Sequence, residues 1–296
     1  MITLAHISDI HLSPLPAVAF RDLLGKRLTG YLNWKMRRHD ALNSETLGSL
    51  VAHMQHQSPD FIAVTGDLTN LALDPEIARA GEWLKALGSS DTICVAPGNH
   101  DAYVQGALET AQRLWGPYMR GEKLEGADFP FVRRLGDLAV VSCSSAVPTR
   151  PFLAVGRFEQ DQAERLARML TALGEASMFR VVLIHHPPNA ELQHPSFGLK
   201  GHKLFRKVIA EHGAELILHG HTHRSSIHSV PGLNHEVPVV GVAAASAAKG
   251  GTLDDPARYN LFRIERSGKD WTCTMREFGF QRLGNDIVMR MQMRIS

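Results

Sequence analysis

An α/β domain built on parallel strands is the fold class this sequence predicts, on three observations. Short apolar runs alternate with stretches of helical periodicity from Ile2 to His223, the pattern of βαβ units. Most of these runs stop at a loop carrying Asp, Asn or His; open α/β sheets gather ligands beyond the carboxyl ends of their strands, so such loops converge in space. With 296 residues the chain buries a sizeable core without staples, and it shows no internal repeat, low-complexity tract or linker, so a single domain over 1–296 is expected.

The elements follow in order. Residues 2–7 form a strand that runs directly into Asp9 and His11. Residues 14–39 break the pattern: Arg21, Lys26, Arg27, Lys35, Arg37 and Arg38 outweigh Asp22 and interleave with Phe20, Leu23, Leu24, Leu28, Tyr31, Leu32 and Trp34. Such an insertion fits either a solvated basic helix pair packed on the domain or an interfacial amphipathic segment beside the site. The spacing of Leu47, Leu50, Val51 and Met54 predicts a helix over 43–57, with Ser44 as its cap. Residues 61–64 are a strand ending in Thr65-Gly66-Asp67, and Asp74-Pro75-Glu76 opens a helix through Leu87 with Pro in its first turn. The apolar run 92–96 is a buried strand delivering Gly98-Asn99-His100-Asp101, and a helix is expected near 103–114.

Residues 129–134 and 138–142 read as antiparallel neighbours joined at Gly136-Asp137, followed by an amphipathic helix over 159–173. A strand over 180–184 ends in His185-His186-Pro187-Pro188. A helix over about 203–212 leads to a strand at 215–218 and then His219-Gly220-His221-Thr222-His223. Short runs at 226–230, 238–243, 259–266 and 271–278 predict a β-rich C-terminal part over about 225–296.

A net charge of +2 and a pI near 8.5 give no whole-protein bias towards nucleic acid, so no specific nucleic-acid binding is expected and any electrostatic argument must be local. Cys94, Cys143 and Cys273 are odd in number, widely spaced and set in apolar runs, as buried free thiols in a reducing compartment are. Residues 1–9 lack the basic and apolar regions of a leader, and no stretch approaches a membrane span. A cytoplasmic location is therefore expected, with 14–39 allowing peripheral contact with the inner face of the membrane. The 16 histidines are an excess that invites a search for metal ligands.

The loops after the strands supply Asp9, His11, Asp67, Asn99, His100, His185, His221 and His223. Carboxylate and imidazole donors suit Mn, Fe or Zn, and the absence of cysteine from these loops argues against a structural zinc site. Each motif alone has an ordinary explanation: Asp9-Ile-His11 as a capped turn, Gly66-Asp67 as a strand ending, His185-His186 as loop histidines. His221 and His223 share one face of an extended segment. The ordered conjunction of all of them is what points to a site.

In Asp9-Ile-His11, Gly66-Asp67, Gly98-Asn99-His100-Asp101, His185 and Gly220-His221-Thr222-His223 the chain resembles the calcineurin-like metallophosphoesterase superfamily. The resemblance implies a four-layer αββα sandwich, two mixed β-sheets flanked by helices, with a dinuclear site at the strand ends. It implies one metal held by Asp9, His11, Asp67 and His223 and another by Asp67, Asn99, His185 and His221, with His186 as the alternative to His185. Two ions roughly 3.5–4 Å apart clamp a phosphate and activate a water for in-line attack by metal-bound hydroxide. His100 matches the histidine that serves the leaving oxygen, and Asp101 is expected to orient it.

Within the superfamily the motifs look like those of bacterial class III cyclic-nucleotide phosphodiesterases and glycerophosphodiesterases. Phosphoprotein phosphatases carry further signatures that are missing here: Leu68-Thr69-Asn70 follows Asp67, and Asp101 stands where they have Glu. The implied substrate is a small phosphodiester such as a cyclic nucleotide. A membrane-associated lipid or nucleotide-lipid phosphohydrolase is the alternative, a non-catalytic scaffold of the same fold is a more distant one, and a homo-oligomer is compatible with each. Asn70 and Arg224 are expected near the phosphate or base, Arg150 and His194 on surface loops, and His202, His212, His228 and His235 in solvent.

Overall fold

A computed structural model of the chain describes residues 1–18, 20–23, 25–35, 44–247, 255–268, 270–281 and 286–296. In chain order its strands and helices are β1 (Ile2–Ile7), α1 (Lys26–Asn33), α2 (Ser44–His56), β2 (Phe61–Val64), α3 (Asp74–Leu87), β3 (Ile93–Val95), α4 (Ala107–Trp115), β4 (Phe131–Leu135) and β5 (Leu138–Ser142). They continue with β6 (Gly156–Arg157), α5 (Gln160–Glu175), β7 (Phe179–Leu183), β8 (Leu199–Lys200), α6 (His202–His212), β9 (Leu216–His219), β10 (Ser226–Pro231), β11 (Glu236–Gly241), β12 (Arg258–Ser267), β13 (Asp270–Phe280) and β14 (Ile287–Arg294).

Two six-stranded mixed sheets face each other, ordered β14-β13-β12-β1-β2-β3 and β10-β11-β9-β7-β5-β4, with β6 and β8 forming a small parallel pair. The strands that end in the chemically active loops run parallel to one another within each sheet, β1-β2-β3 in the first and β7-β9 in the second, while β1 meets β12 antiparallel on its other side. The hairpins β12-β13-β14 and β10-β11 and the pair β4-β5 are antiparallel. Side-chain alternation fixes the layers. Val140, Val181, Leu218 and Val240 join the core shared with the first sheet, while Ala139, Val141, Val182, Ile217 and Val239 join the core that Leu166, Leu170, Phe205 and Ile209 of α5 and α6 complete. Leu50, Met54, Ile77, Leu84 and Trp115 of α2, α3 and α4 pack with the first sheet. The predicted helix–sheet–sheet–helix sandwich is therefore what the chain forms.

Some expectations change. Ser44 is the first residue of α2, not its cap, and its hydroxyl donates to the Ser13 carbonyl 2.7 Å away. The helix expected near 103–114 begins only at Ala107, because Tyr103 to Gly106 turn past the site. The strand β14 went unread, although Met289, Met291 and Met293 alternate with Arg290, Gln292 and Arg294. It pairs with β13 at the sheet edge and leaves most of its side chains exposed, so no apolar run announces it.

In the insertion expected at 14–39, a short 3-10 turn at Phe20–Leu23 precedes α1; Leu24, Arg37, Arg38 and His39 lie outside the described residues. Among the described residues no helix is long and apolar enough to cross a membrane. All three cysteines are free and buried, and burial pushes the Cys94 and Cys273 thiols up to about 12 and the Cys143 thiol higher still. A thiol reagent such as DTNB at pH 8 is accordingly expected to titrate no thiol rapidly in the native protein and all three after unfolding; fast native reaction of any one would contradict this packing.

Candidate metal centre

The active loops after β1, β2 and β9 leave their strands by turns that side chains ordinarily avoid. Asp9, His11, Asp67, His221 and His223 have φ of 53°, 39°, 55°, 70° and 56°, the left-handed region that costs a residue with a Cβ on the order of 1–2 kcal/mol. Such conformations persist only where the surroundings over-determine them. Here the loop after β1 is laced to the loop after β2: Asp9 N–H donates to Gly66 O (3.0 Å), His11 N–H to Asp67 O (2.9 Å) and Leu12 N–H to Leu68 O (3.0 Å).

The fully buried Asp101 carboxylate ties in the loop after β3. Its Oδ2 accepts from the N–H groups of Asp67 (2.9 Å) and Gly98 (3.0 Å), and its Oδ1 from those of Leu68 (2.9 Å) and Thr69 (3.1 Å). Asp101 therefore does not orient His100 as expected. The His100 ring donates from Nδ1 to the Asn70 carbonyl (2.5 Å) instead, and Asp101 acts on the main chain. Burial and the Asp67 carboxylate push the Asp101 carboxyl up to about 7, against the pull of its amide donors. Gly98 is needed here because a Cβ would run into the Asp67 backbone nitrogen at 2.5 Å.

The predicted side chains come together. Asp67 Oδ2 lies 3.4 Å from His185 Nε2 and 3.8 Å from His11 Nε2, and its Oδ1 accepts the His100 N–H at 2.7 Å. On one side, His223 Nε2 is 3.2 Å from Asp9 Oδ1 and 3.3 Å from His11 Nε2. On the other, Asn99 Oδ1 is 3.2 Å from His185 Nε2 and 2.9 Å from His221 Nδ1. The sets Asp9-His11-His223, His11-Asp67-His100 and Asp9-Asp67-His185 each bring their ligand atoms within 4.8 Å of one another.

This donor set fits metal ions. Carbonyls accept only, so His11, His185 and His221 donate from one ring nitrogen to Thr69 O (3.0 Å), Thr65 O (2.5 Å) and Phe197 O (2.8 Å). The other nitrogen of each then turns a lone pair towards the cluster, the tautomer a cation requires. Asp9 Oδ1, fully buried, has no hydrogen bond aligned on it, a cost that a bound cation removes.

The charges agree. Burial alone would raise both carboxyls, but His223 and His185 hold Asp9, and His185, His100 and His11 hold Asp67, below the usual carboxylate range. Burial would lower His185, yet the Asp67 and Asp9 carboxylates and the Thr65 carbonyl raise it to about 9. A cation binding there displaces that proton. Burial and the charge on His185 lower His221 to about 3, which keeps it a neutral donor.

The choice between His185 and His186 follows from the same bonds. His186 spends Nδ1 on the Ser145 hydroxyl (2.8 Å) and Nε2 on the Ala154 carbonyl (3.1 Å), whereas His185 Nε2 faces Asp67 and Asn99. Asn70, expected near substrate, is buried, and its amide donates to Leu12 O at 3.2 Å. Arg224 is exposed, and of the four histidines assigned to solvent only His235 is; His202, His212 and His228 are half-buried. Sequence reasoning missed Tyr103, which stacks on His100 with centroids 5.3 Å apart and planes 18° from parallel. It also missed the carbonyls that orient the ligands, since a main-chain acceptor leaves no residue-type signal.

A family model described as calcineurin-like phosphoesterase matches residues 2–225. The chain is 27% identical over 229 residues to a probable cyclic nucleotide phosphodiesterase of Synechococcus, an alignment covering 76% of this chain and 75% of that one. Among solved structures it superposes on a dimetal phosphatase from Danio rerio with TM-score 0.65 at 12% identity, covering 97% and 98% of the two chains. It also superposes on the purple acid phosphatase PPD1 from yellow lupin with TM-score 0.53 at 11% identity, covering 94% of this chain and 51% of that one. At these identities the two structures speak for the fold.

Replacing Asp101 by Ala strands four buried N–H groups. Chemical denaturation is expected to show a loss of about 3 kcal/mol or more, and metal titration a weakened affinity although no ligand is removed; an unchanged midpoint would refute the clamp.

Proposed function

This chain belongs to the calcineurin-like phosphoesterase family, and from that premise we propose that it is a dinuclear metal-dependent phosphodiesterase hydrolysing a small phosphodiester, with cyclic nucleotides as the first substrate class. The observation that carries the reading is the ring orientation: three imidazoles fixed on main-chain carbonyls with their second nitrogens turned to two carboxylates and one amide oxygen.

Asp9, His11, Asp67 and His223 would hold one divalent ion, Mn, Fe or Zn, and Asp67, Asn99, His185 and His221 the other. Such ions supply Lewis-acid neutralisation of phosphoryl oxygens and acidify water. The protein's own share is positioning. Asp67 stands between the two sets because His11 and His185 approach the same oxygen. His100, half-buried, donates from Nδ1 to Asn70 O and lays its face on Tyr103, which orients the ring to serve the departing oxygen. The substrate class is supported by the name of the Synechococcus relative.

A second reading, a lipid or nucleotide-lipid phosphohydrolase working at a membrane surface, is favoured by α1. Its Arg27 is bonded to the loop that carries Asn70, at Leu71 O and Ala72 O, while Leu28 and Leu32 are 45% and 49% exposed. Exposed apolar groups on a basic helix suit anionic lipid.

With Mn²⁺, wild-type protein is expected to hydrolyse bis(p-nitrophenyl) phosphate. Asp67→Ala and Asn99→Ala should abolish this, and His100→Ala should lower kcat by roughly 10²–10⁴ with metal content retained. Wild type inert with Mn, Fe and Zn alike would favour a non-catalytic scaffold. Liposome flotation separates the two enzyme readings: Leu28→Glu/Leu32→Glu should lose binding to anionic vesicles if the second holds, and equal absence of binding by both proteins would remove it.

A further inference from the structure

We infer that Lys26, with the basic cavity beside it, forms a subsite for a second anionic group of the substrate, so that doubly charged phosphoesters such as diphosphate diesters are favoured over singly charged ones, a preference that revises the first substrate class taken from a relative's name. This rests on the phosphodiesterase reading for the place of the reacting phosphate.

Lys26 is the first residue of α1, and that helix is fastened to the rim of the metal centre. Arg27 donates to Leu71 O (3.1 Å) and Ala72 O (2.5 Å), one and two residues beyond the Asn70 whose carbonyl holds His100. Gly30 lies against the Tyr103 ring and Leu71, where a Cβ would approach both at 2.8 Å. From this base the Lys26 ammonium donates to Thr149 Oγ1 at 2.5 Å and sits 4.3 Å from the centroid of the Tyr103 ring, the ring that stacks on His100. One aromatic layer thus separates the ammonium from the histidine assigned to the leaving oxygen.

No carboxylate among the described residues forms a salt bridge with this half-buried cation. Burial lowers its pKa to about 8 while the Asp67 charge pulls the other way, so near pH 7 it remains mostly charged and only partly solvated. That is a group with an unspent capacity to bind an anion.

Thr149, its hydrogen-bond partner, begins the wall of a cavity of about 740 Å³ that Arg150, Arg157, Glu159 and Lys200 also line. Arg157 pairs with Glu159 at 3.2 Å, which leaves the charges of Arg150 and Lys200 beside that of Lys26. The cavity lies behind the metal centre, with Ala154 and His186 between them. Between its lining residues Leu153 and Val155, Ala154 accepts from His186, whose ring lies 4.2 Å from that of His221. A phosphoester held at the centre therefore has a fixed positive charge one aromatic ring away from His100 and further basic residues lining the cavity beside that charge, and the group that answers this is a second phosphate or a carboxylate.

The test combines labelling with a substrate comparison on Mn²⁺-loaded protein. Trinitrobenzenesulfonate modification of Lys26, read by mass spectrometry, should be suppressed by α,β-methylene-ADP. Lys26→Met should lower kcat/KM for ADP-ribose, which carries two charges, about tenfold more than for bis(p-nitrophenyl) phosphate, which carries one, a typical effect of losing a charged hydrogen bond. Lys26→Arg should restore the preference and Lys26→Gln, which keeps a hydrogen-bonding end without the charge, should not.

Unprotected labelling, or a preference that Lys26→Gln restores, would overturn the subsite and leave Lys26 as an anchor of α1. Wild type inert on both esters would sink the phosphodiesterase reading instead, with the protection result still deciding whether Lys26 meets an anion.

Discussion

A single buried carboxylate, Asp101, holds the loops after β2 and β3 in one arrangement, and the metal centre is built on it. Left to themselves these loops would not stay where they are: Asp9, His11, Asp67, His221 and His223 all occupy left-handed backbone, a combined penalty comparable to the net stability of a domain. Four main-chain amides on Asp101 and three main-chain bonds between the first two loops offset it. The sharp turns seat His223 with Asp9 and His11 while parting it from His221, which faces Asn99 on the other side of the cluster.

Orientation of the rings is a second and separate achievement. A histidine near a carboxylate forms an ion pair as readily as a metal site, and the carbonyls of Thr69, Thr65 and Phe197 prepare these three for either by fixing which nitrogen faces the cluster. The two neighbours His185 and His186 illustrate this. Both are fully buried, yet one is aimed at Asp67 and Asn99 while the other is consumed by Ser145 and Ala154.

The fold was largely legible in the sequence, and so was which residue types gather at the candidate site, because both are written at strand ends. Apolar runs of four to six residues at Ile2–Ile7 and Phe61–Val64 needed only their period to be read, and the loops after them contributed carboxylates and imidazoles in a recognisable order. What escaped reading has a common physical origin. The role of Asp101 depends on which amides happen to face it, the role of Asn70 rests on its carbonyl, and Tyr103 reaches His100 only through the turn that delays α4. Lys26 stood among six basic residues of the insertion with nothing local to single it out; only the packing of α1 on Leu71 and Tyr103 brings its ammonium to the site. Contacts between segments far apart in the chain carry no short-range pattern, so a sequence can declare a ligand and still conceal what positions it.

The central claim is that Asp67 joins two ion sites within one cluster, and electron paramagnetic resonance of the Mn²⁺-loaded protein addresses it most directly. Two ions sharing a carboxylate should give an exchange-coupled multiline spectrum at a stoichiometry of two per chain, and Asp67→Ala should reduce it to an uncoupled spectrum with weaker binding. An uncoupled six-line spectrum from one Mn²⁺ per wild-type chain would contradict the account.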